Sequence, residues 1–136
     1  MNILVIDAQG GGMGRMLVEG LKRALPEQPV IAVGTNALAT SAMLKGGADQ
    51  AATGENAIRV CAAKADIILA PLGMVLADAM LGEVTAEMAV AIGRSPARKI
   101  FLPVSRCQAT VAGVAKMTMA EAVERAVAEA VGVIRN

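Results

Sequence analysis

Hydrophobic and polar residues follow one another along this chain in blocks whose period changes, and each change marks an element. Ile3, Leu4, Val5 and Ile6 form an unbroken apolar run closed by Asp7, the pattern of a strand covered on both faces. This first strand is placed from Asn2 onward. Beyond a glycine-rich stretch, Met13, Leu17, Leu21 and Leu25 recur every four residues, with Glu19, Lys22 and Arg23 off that line. The spacing predicts an amphipathic helix, which Pro26 stops. Val30, Ile31, Ala32 and Val33 read as a short buried parallel strand ended by Gly34, Thr35 and Asn36. Asn36 is a good N-cap for a helix over residues 37–45, and Gly46 and Gly47 close it.

Residues 49–52 are a weaker third strand, and Thr53, Gly54, Glu55 and Asn56 lead into a helix carrying Ile58, Val60 and Cys61. Asp66, Ile67, Ile68, Leu69 and Ala70 make a fourth strand, with Pro71, Leu72 and Gly73 as its terminal loop. A helical pattern returns over residues 74–92 in two pieces, broken at Gly82 and restarted by Thr85 as N-cap. Gly93, Arg94, Ser95 and Pro96 end it. Residues 100–104 read as a fifth strand in which Pro103 argues for the sheet edge or a bulge, and residues 111–114 as a short antiparallel edge strand. Thr118 and Glu121 have the spacing of a capping box. Val123, Val127, Val131 and Ile134 then mark the buried stripe of the last helix. Strands alternating with helices imply a single three-layer α/β domain, Rossmann-like or flavodoxin-like, with a mainly parallel five-stranded sheet.

A length of 136 residues suits one domain. Hydrophobic residues are 55% of the chain and charged residues 18%, below the usual quarter. That shortage of covering charge predicts exposed apolar area and a homo-oligomer, formed through the 74–92 helices with their Met74, Met80 and Met88. Net charge is +1 with no basic run, and the only aromatic residue is one Phe, so nucleic-acid binding is not expected. Cys61 and Cys107 are a lone pair, no secretory signal fits before a strand that begins at Asn2, and the longest uncharged apolar run contains Pro71. These features point to a cytoplasmic protein without a membrane span.

Ligands of such sheets bind at the carboxyl ends of the strands. Here those ends are residues 7–14, 34–36, 53–56, 71–73 and 105–107, where most of the uncharged polar residues suited to a ligand collect. A glycine-rich turn opening a helix presents free N–H groups and a favourable dipole to an anion. The expectation is therefore a nucleotide or dinucleotide with its phosphates on the amides of Gly10, Gly11, Gly12, Met13 and Gly14. Thr35, Asn36, Glu55, Asn56 and Gly73 would line the rest of the crevice. Gly10 and Gly12 begin a G-x-G-x-x-G fingerprint whose third position is Arg15, and no Walker lysine follows. Gly12 and Gly14 match the end of the G-x-x-x-G-x-G turn of short-chain dehydrogenases, with Ala8 in the place of its first glycine. Their catalytic Tyr-x-x-x-Lys is excluded in a chain without Tyr. The second strand lacks the acidic residue that holds a free ribose, which favours an NADP-type ligand with Arg15 as the nearest cation.

Other chemistry is thinly supplied. Without His there is neither an ordinary zinc set nor a serine triad. Asp7 resembles the acid of a receiver domain, but the third strand ends in Thr53 and no lysine stands at the end of the fifth, so Asp7 is read as a turn-former accepting backbone N–H groups. The alternative to a binding protein is a small enzyme on a phosphorylated or carboxylated metabolite, using Glu55, Asp78 or the Cys107 thiolate beside Arg106. A non-catalytic oligomeric partner protein is the third reading.

Three runs carry a resemblance: residues 7–14, residues 34–48 from Gly34 to Ala48, and residues 52–58 from Ala52 to Ile58. On these the chain resembles a family of short bacterial proteins known only as a domain of unknown function. The resemblance implies a Rossmann-like fold and no established reaction. The family's first loop usually has glycine where this chain has Ala8.

Overall fold

Apolar content along each strand sorts the strands within the sheet. The structure, a computed structural model that describes residues 1–103 and 109–136, has one five-stranded sheet in the order β3-β2-β1-β4-β5. Its strands are β1 (Ile3–Asp7), β2 (Val30–Gly34), β3 (Gln50–Thr53), β4 (Ile67–Pro71) and β5 (Arg98–Leu102), and every neighbouring pair is parallel. β1 and β4 are buried along their whole length and lie side by side at or next to the centre. β3 begins with Gln50 and β5 with Arg98 and Lys99; polar side chains confine them to the edges, where one flank meets water.

Parallel strands need covering on both faces. The helices are α1 (Gly12–Ala24), α2 (Ala37–Lys45), α3 (Glu55–Lys64), α4 (Ala86–Arg94) and α5 (Met119–Arg135). Ile3, Val5, Ile67 and Leu69 pack with Met13, Leu17 and Leu21 of α1, Met43 of α2 and Val123 of α5. Leu4, Ile6, Ile68 and Ala70 point the other way, onto Ile58 and Ala62 of α3 and Met88 and Ile92 of α4. The order is that of the Rossmann winding, which the pattern alone had left open against the flavodoxin one. Its topological switch point lies between β1 and β4, where a crevice opens at their carboxyl ends.

Several boundaries differ from the expectation. β5 runs over Arg98–Leu102 rather than 100–104, because Arg98 N already donates to Asp66 O at 2.9 Å and Pro103 has no N–H with which to continue. Val104 falls outside the described residues. The first piece of the 74–92 helix does not exist. A single 3-10 turn, Leu72–Val75, is followed by local turns in which Asp78, Met80, Leu81 and Gly82 have positive φ. The reason is the burial of both Met74 and Val84: the chain doubles back between them, with Asp78 N donating to Val84 O at 2.7 Å. The second piece is α4, with Thr85 as its N-cap.

Residues 111–114 are exposed and turn rather than pair; Val114 N reaches Val111 O at 3.4 Å, so the antiparallel edge strand is absent among the described residues. α5 has the expected capping box, Thr118 with Glu121. Its buried line, however, is Ala122, Val123, Ala126 and Ala130. These small residues bring α5 close enough to α1 that a Cβ on Gly20 would stand 2.9 Å from Val127. Val131 lies outside the core that Val123 joins.

Candidate functional site

The loop between β1 and α1 folds as it does because two of its glycines have no room for a side chain. Gly11 has φ 75°, and a Cβ there would meet the Ala39 Cα at 2.7 Å. At Gly14 a Cβ would stand 2.8 Å from Asp7 Cβ and 2.6 Å from Met43 Sδ. That close approach of helix to strand is the service the third glycine performs in a dinucleotide-binding turn. Gly10 and Gly12 are different. Neither has positive φ, and a Cβ on either meets nothing within 4 Å among the described residues.

Asp7 organises the turn. Its Oδ1 accepts from Ala8 N at 2.8 Å and its Oδ2 from Gly14 N at 2.7 Å, as the turn-former reading requires. Burial pushes its pKa above the ordinary value, against the pull of the Gly14 and Ala8 hydrogen bonds, and the negative charge of Glu83 pushes the same way. The expectation of five free amides is thereby corrected. Gly14 N is taken by Asp7 and Gly11 N by Ala8 O at 3.0 Å. Among the described residues, the amides of Gly10, Gly12 and Met13 have no protein partner, and they sit at the amino end of α1. In front of them lies a cleft of about 370 Å³ lined by residues 7–13 together with Pro71, Met80 and Met119. It occupies the switch point, and its size is at the lower end for small-molecule sites.

Of the ligand-contacting residues expected from the sequence, Gly10, Gly11, Gly12 and Met13 line this cleft; the others are placed elsewhere. Arg15 lies on the outer side of α1 with its Nε 3.5 Å from Glu19 Oε1. Asn36 caps α2 by accepting from Ala39 N at 2.9 Å. Glu55 accepts from Thr85 Oγ1 at 2.6 Å and Asn56 from Arg59, both at the exposed start of α3. Gly73 is buried in the 3-10 turn, accepting from Leu76 N at 3.1 Å. Asp78 is exposed on the loop before α4, so it does not meet Glu55 in a catalytic pair. Cys107, Arg106 and Ser105 lie outside the described residues. Met74 and Met88 belong to the core, while Met80 borders the cleft.

The residue that sequence reasoning missed is Glu83. Its Oε2 accepts from Gln9 N, from Thr35 Oγ1 and, at 3.1 Å, from Asn36 Nδ2. Asn36 Nδ2 also donates to Gln9 O at 3.0 Å. A carboxylate from the loop before α4 is thus bound between the ends of β1 and β2. Burial opposes its ionisation, but the hydrogen bonds from Gln9, Thr35 and Asn36 outweigh burial and hold its pKa below the ordinary value. The break at Gly82 was the only sign that this segment leaves the helix, and nothing in the spacing says where it lands.

A parallel sheet in Rossmann order with a glycine turn at the switch point defines a Rossmann-like α/β domain. The chain belongs to the family described as Domain of unknown function (DUF3842), which it matches over residues 2–135. Comparison with curated proteins and with solved structures returned no match. Among the described residues no helix is long and apolar enough to cross a membrane, and no three metal-ligating side chains come together.

Proposed function

We propose that this protein binds a phosphate-bearing nucleotide or dinucleotide of the NAD(P) type, in the cytoplasm, with the phosphates on the amides of Gly10, Gly12 and Met13. One observation carries the reading. Glycine within or beside the first turn of a helix costs stability relative to alanine, and at Gly10 and Gly12 neither backbone angle nor neighbouring atoms require it. A ligand whose oxygens approach the backbone does require it. The likeness of the turn to that of short-chain dehydrogenases supports a diphosphate in particular. No reaction is assigned: the candidate carboxylates Glu55 and Asp78 do not line the cleft.

The test is a thermal-shift screen with NAD, NADP, FAD, FMN, ATP and coenzyme A. A ligand at about 100 times its Kd adds roughly 2.7 kcal/mol to the folded state. The expected result is a shift with at least one nucleotide that disappears in Gly12→Asp, a variant whose carboxylate fills the open space and leaves the core untouched. Silence across the panel, or a shift that survives in that variant, refutes the proposal.

Self-association through residues 74–92 is proposed alongside. Leu81 is fully exposed at the tip of the loop and Val90 is exposed on α4, a pair of large apolar side chains on one segment that water disfavours.

A further inference from the structure

The end of β2 has no acidic residue of its own, since it reads Gly34, Thr35, Asn36. A carboxylate nevertheless stands there, delivered by the loop that follows β4. In open sheets of this winding that position meets the ribose of a bound nucleotide, one strand over from the phosphate turn. We propose that Glu83 is the ribose acceptor of the nucleotide site, so that the protein selects ligands with free 2′- and 3′-hydroxyls over those with a 2′-phosphate. The proposal rests on the phosphate reading above and deepens it.

Three features of the geometry support it. The Glu83 carboxylate is fixed in place, because one oxygen, Oε2, takes all three donors from Gln9, Thr35 and Asn36. Its other oxygen, Oε1, accepts nothing among the described residues, and an ionised carboxylate oxygen can only accept. A vicinal diol supplies the donors it lacks; a 2′-phosphate supplies more acceptors and more negative charge. Finally, one loop reaches both strand ends, for Met80 borders the cleft on the β4 side while Glu83, just outside the cleft's lining, grips Gln9, which lines it, and Thr35 beyond.

The loop's conformation agrees with a functional role. Asp78, Met80 and Leu81 are held at φ 66°, 59° and 57°, a left-handed region that side chains avoid unless the surroundings impose it. The same loop ends in the Glu83 carboxylate, bonded to Gln9, Thr35 and Asn36. Arg15, the cation that the sequence suggested for a 2′-phosphate, is turned toward Glu19 on the outer face of α1. The proposal thus runs opposite to the NADP preference expected from the bare Thr35-Asn36 strand end.

The experiment is isothermal titration of the full chain with NAD and with NADP, for the wild type, Glu83→Gln, Thr35→Val and Gly12→Asp. Melting curves and far-ultraviolet circular dichroism establish that each variant is folded. Wild type is expected to favour NAD by roughly tenfold or more, the size of a charge repulsion plus one lost hydrogen bond. Glu83→Gln keeps an acceptor for the anchoring donors and removes the charge, so its ratio falls toward one, chiefly by tighter NADP binding. Thr35→Val loosens the anchor and lowers the ratio in the same direction. Gly12→Asp weakens both nucleotides alike. Equal affinities in the wild type, or a ratio that Glu83→Gln leaves unchanged, overturn the role of Glu83 while leaving the phosphate cradle standing. Failure of both nucleotides to bind the wild type overturns the role of Glu83, and silence of FAD, FMN, ATP and coenzyme A as well overturns the phosphate cradle with it.

Discussion

Two glycines two positions apart on the same helical turn should respond to alanine in opposite ways. At Gly14 the new methyl would stand 2.8 Å from Asp7 Cβ and 2.6 Å from Met43 Sδ, where carbon atoms prefer about 3.5–4.0 Å. Met43 can adjust its flexible end. Asp7 cannot, because it sits on a buried strand and its carboxylate is bonded to Ala8 and Gly14. Overpacking of this kind costs about 1–3 kcal/mol, and the gain in helix propensity returns up to about 1 kcal/mol. Gly14→Ala is thus expected to lose about 1–2 kcal/mol. At Gly12 the methyl meets nothing within 4 Å among the described residues, and φ is already compatible, so Gly12→Ala is expected to gain roughly 0.4–1 kcal/mol.

The gap between the two variants, about 2 kcal/mol, corresponds to roughly 4–8 °C in melting temperature for a chain of this length. Urea denaturation with a shared slope measures it directly. On the proposed reading the same Gly12→Ala protein, more stable than wild type, is expected to bind nucleotide about tenfold more weakly, because its methyl would stand where a phosphate would approach. A Gly12→Ala protein destabilised by more than about 1 kcal/mol would refute the claim of open space. A neutral Gly14→Ala would refute the close packing of α1 on β1, and a stable Gly12→Ala with undiminished nucleotide affinity would refute the cradle.

The raised pKa of Asp7 fixes a pH dependence. Its contribution to stability is complete below the ordinary carboxyl value and is lost as pH rises through the higher folded-state value. The stability of wild type minus that of Asp7→Asn is therefore expected to fall from about pH 4 upward; denaturation across a pH series reads this, and a flat or rising difference contradicts it. Ser95 is buried, donating to Ala62 O at 2.6 Å and accepting from Ala97 N at 3.0 Å. Ser95→Ala leaves both partners unsatisfied and is expected to cost about 1–3 kcal/mol by chemical denaturation, whereas a loss below about 0.5 kcal/mol would mean that water reaches them. If residues 74–92 form a contact between copies, Leu81→Asp shifts the protein toward monomer in light scattering after gel filtration, and an unchanged mass shows that this contact is not made.

Much of the fold was legible because the core announces itself locally. The unbroken apolar runs of β1 and β4, the four-residue spacing of α1, Asn36 and Thr85 as N-caps and the Thr118-Glu121 capping box are short-range signals, and the structure keeps them all. The glycine turn was legible for the same reason, as was its place at a strand end. Legibility failed where an element owes its shape to distant partners. The segment after Gly73 has helical spacing, yet burying both Met74 and Val84 folds it into turns.

What the sequence determined by itself is an α/β domain with a glycine turn at the amino end of its first helix, since periodicity, caps and turn residues act over a few positions. What only the tertiary structure decided is which amides remain open, which strand neighbours which, and that Glu83 comes to rest between the ends of β1 and β2. Those outcomes depend on contacts between residues far apart in the chain, Asp7 with Gly14 being the nearest and Gln9 with Glu83 among the most distant. A carboxylate finds its donors by folding, and no local pattern records where they will be.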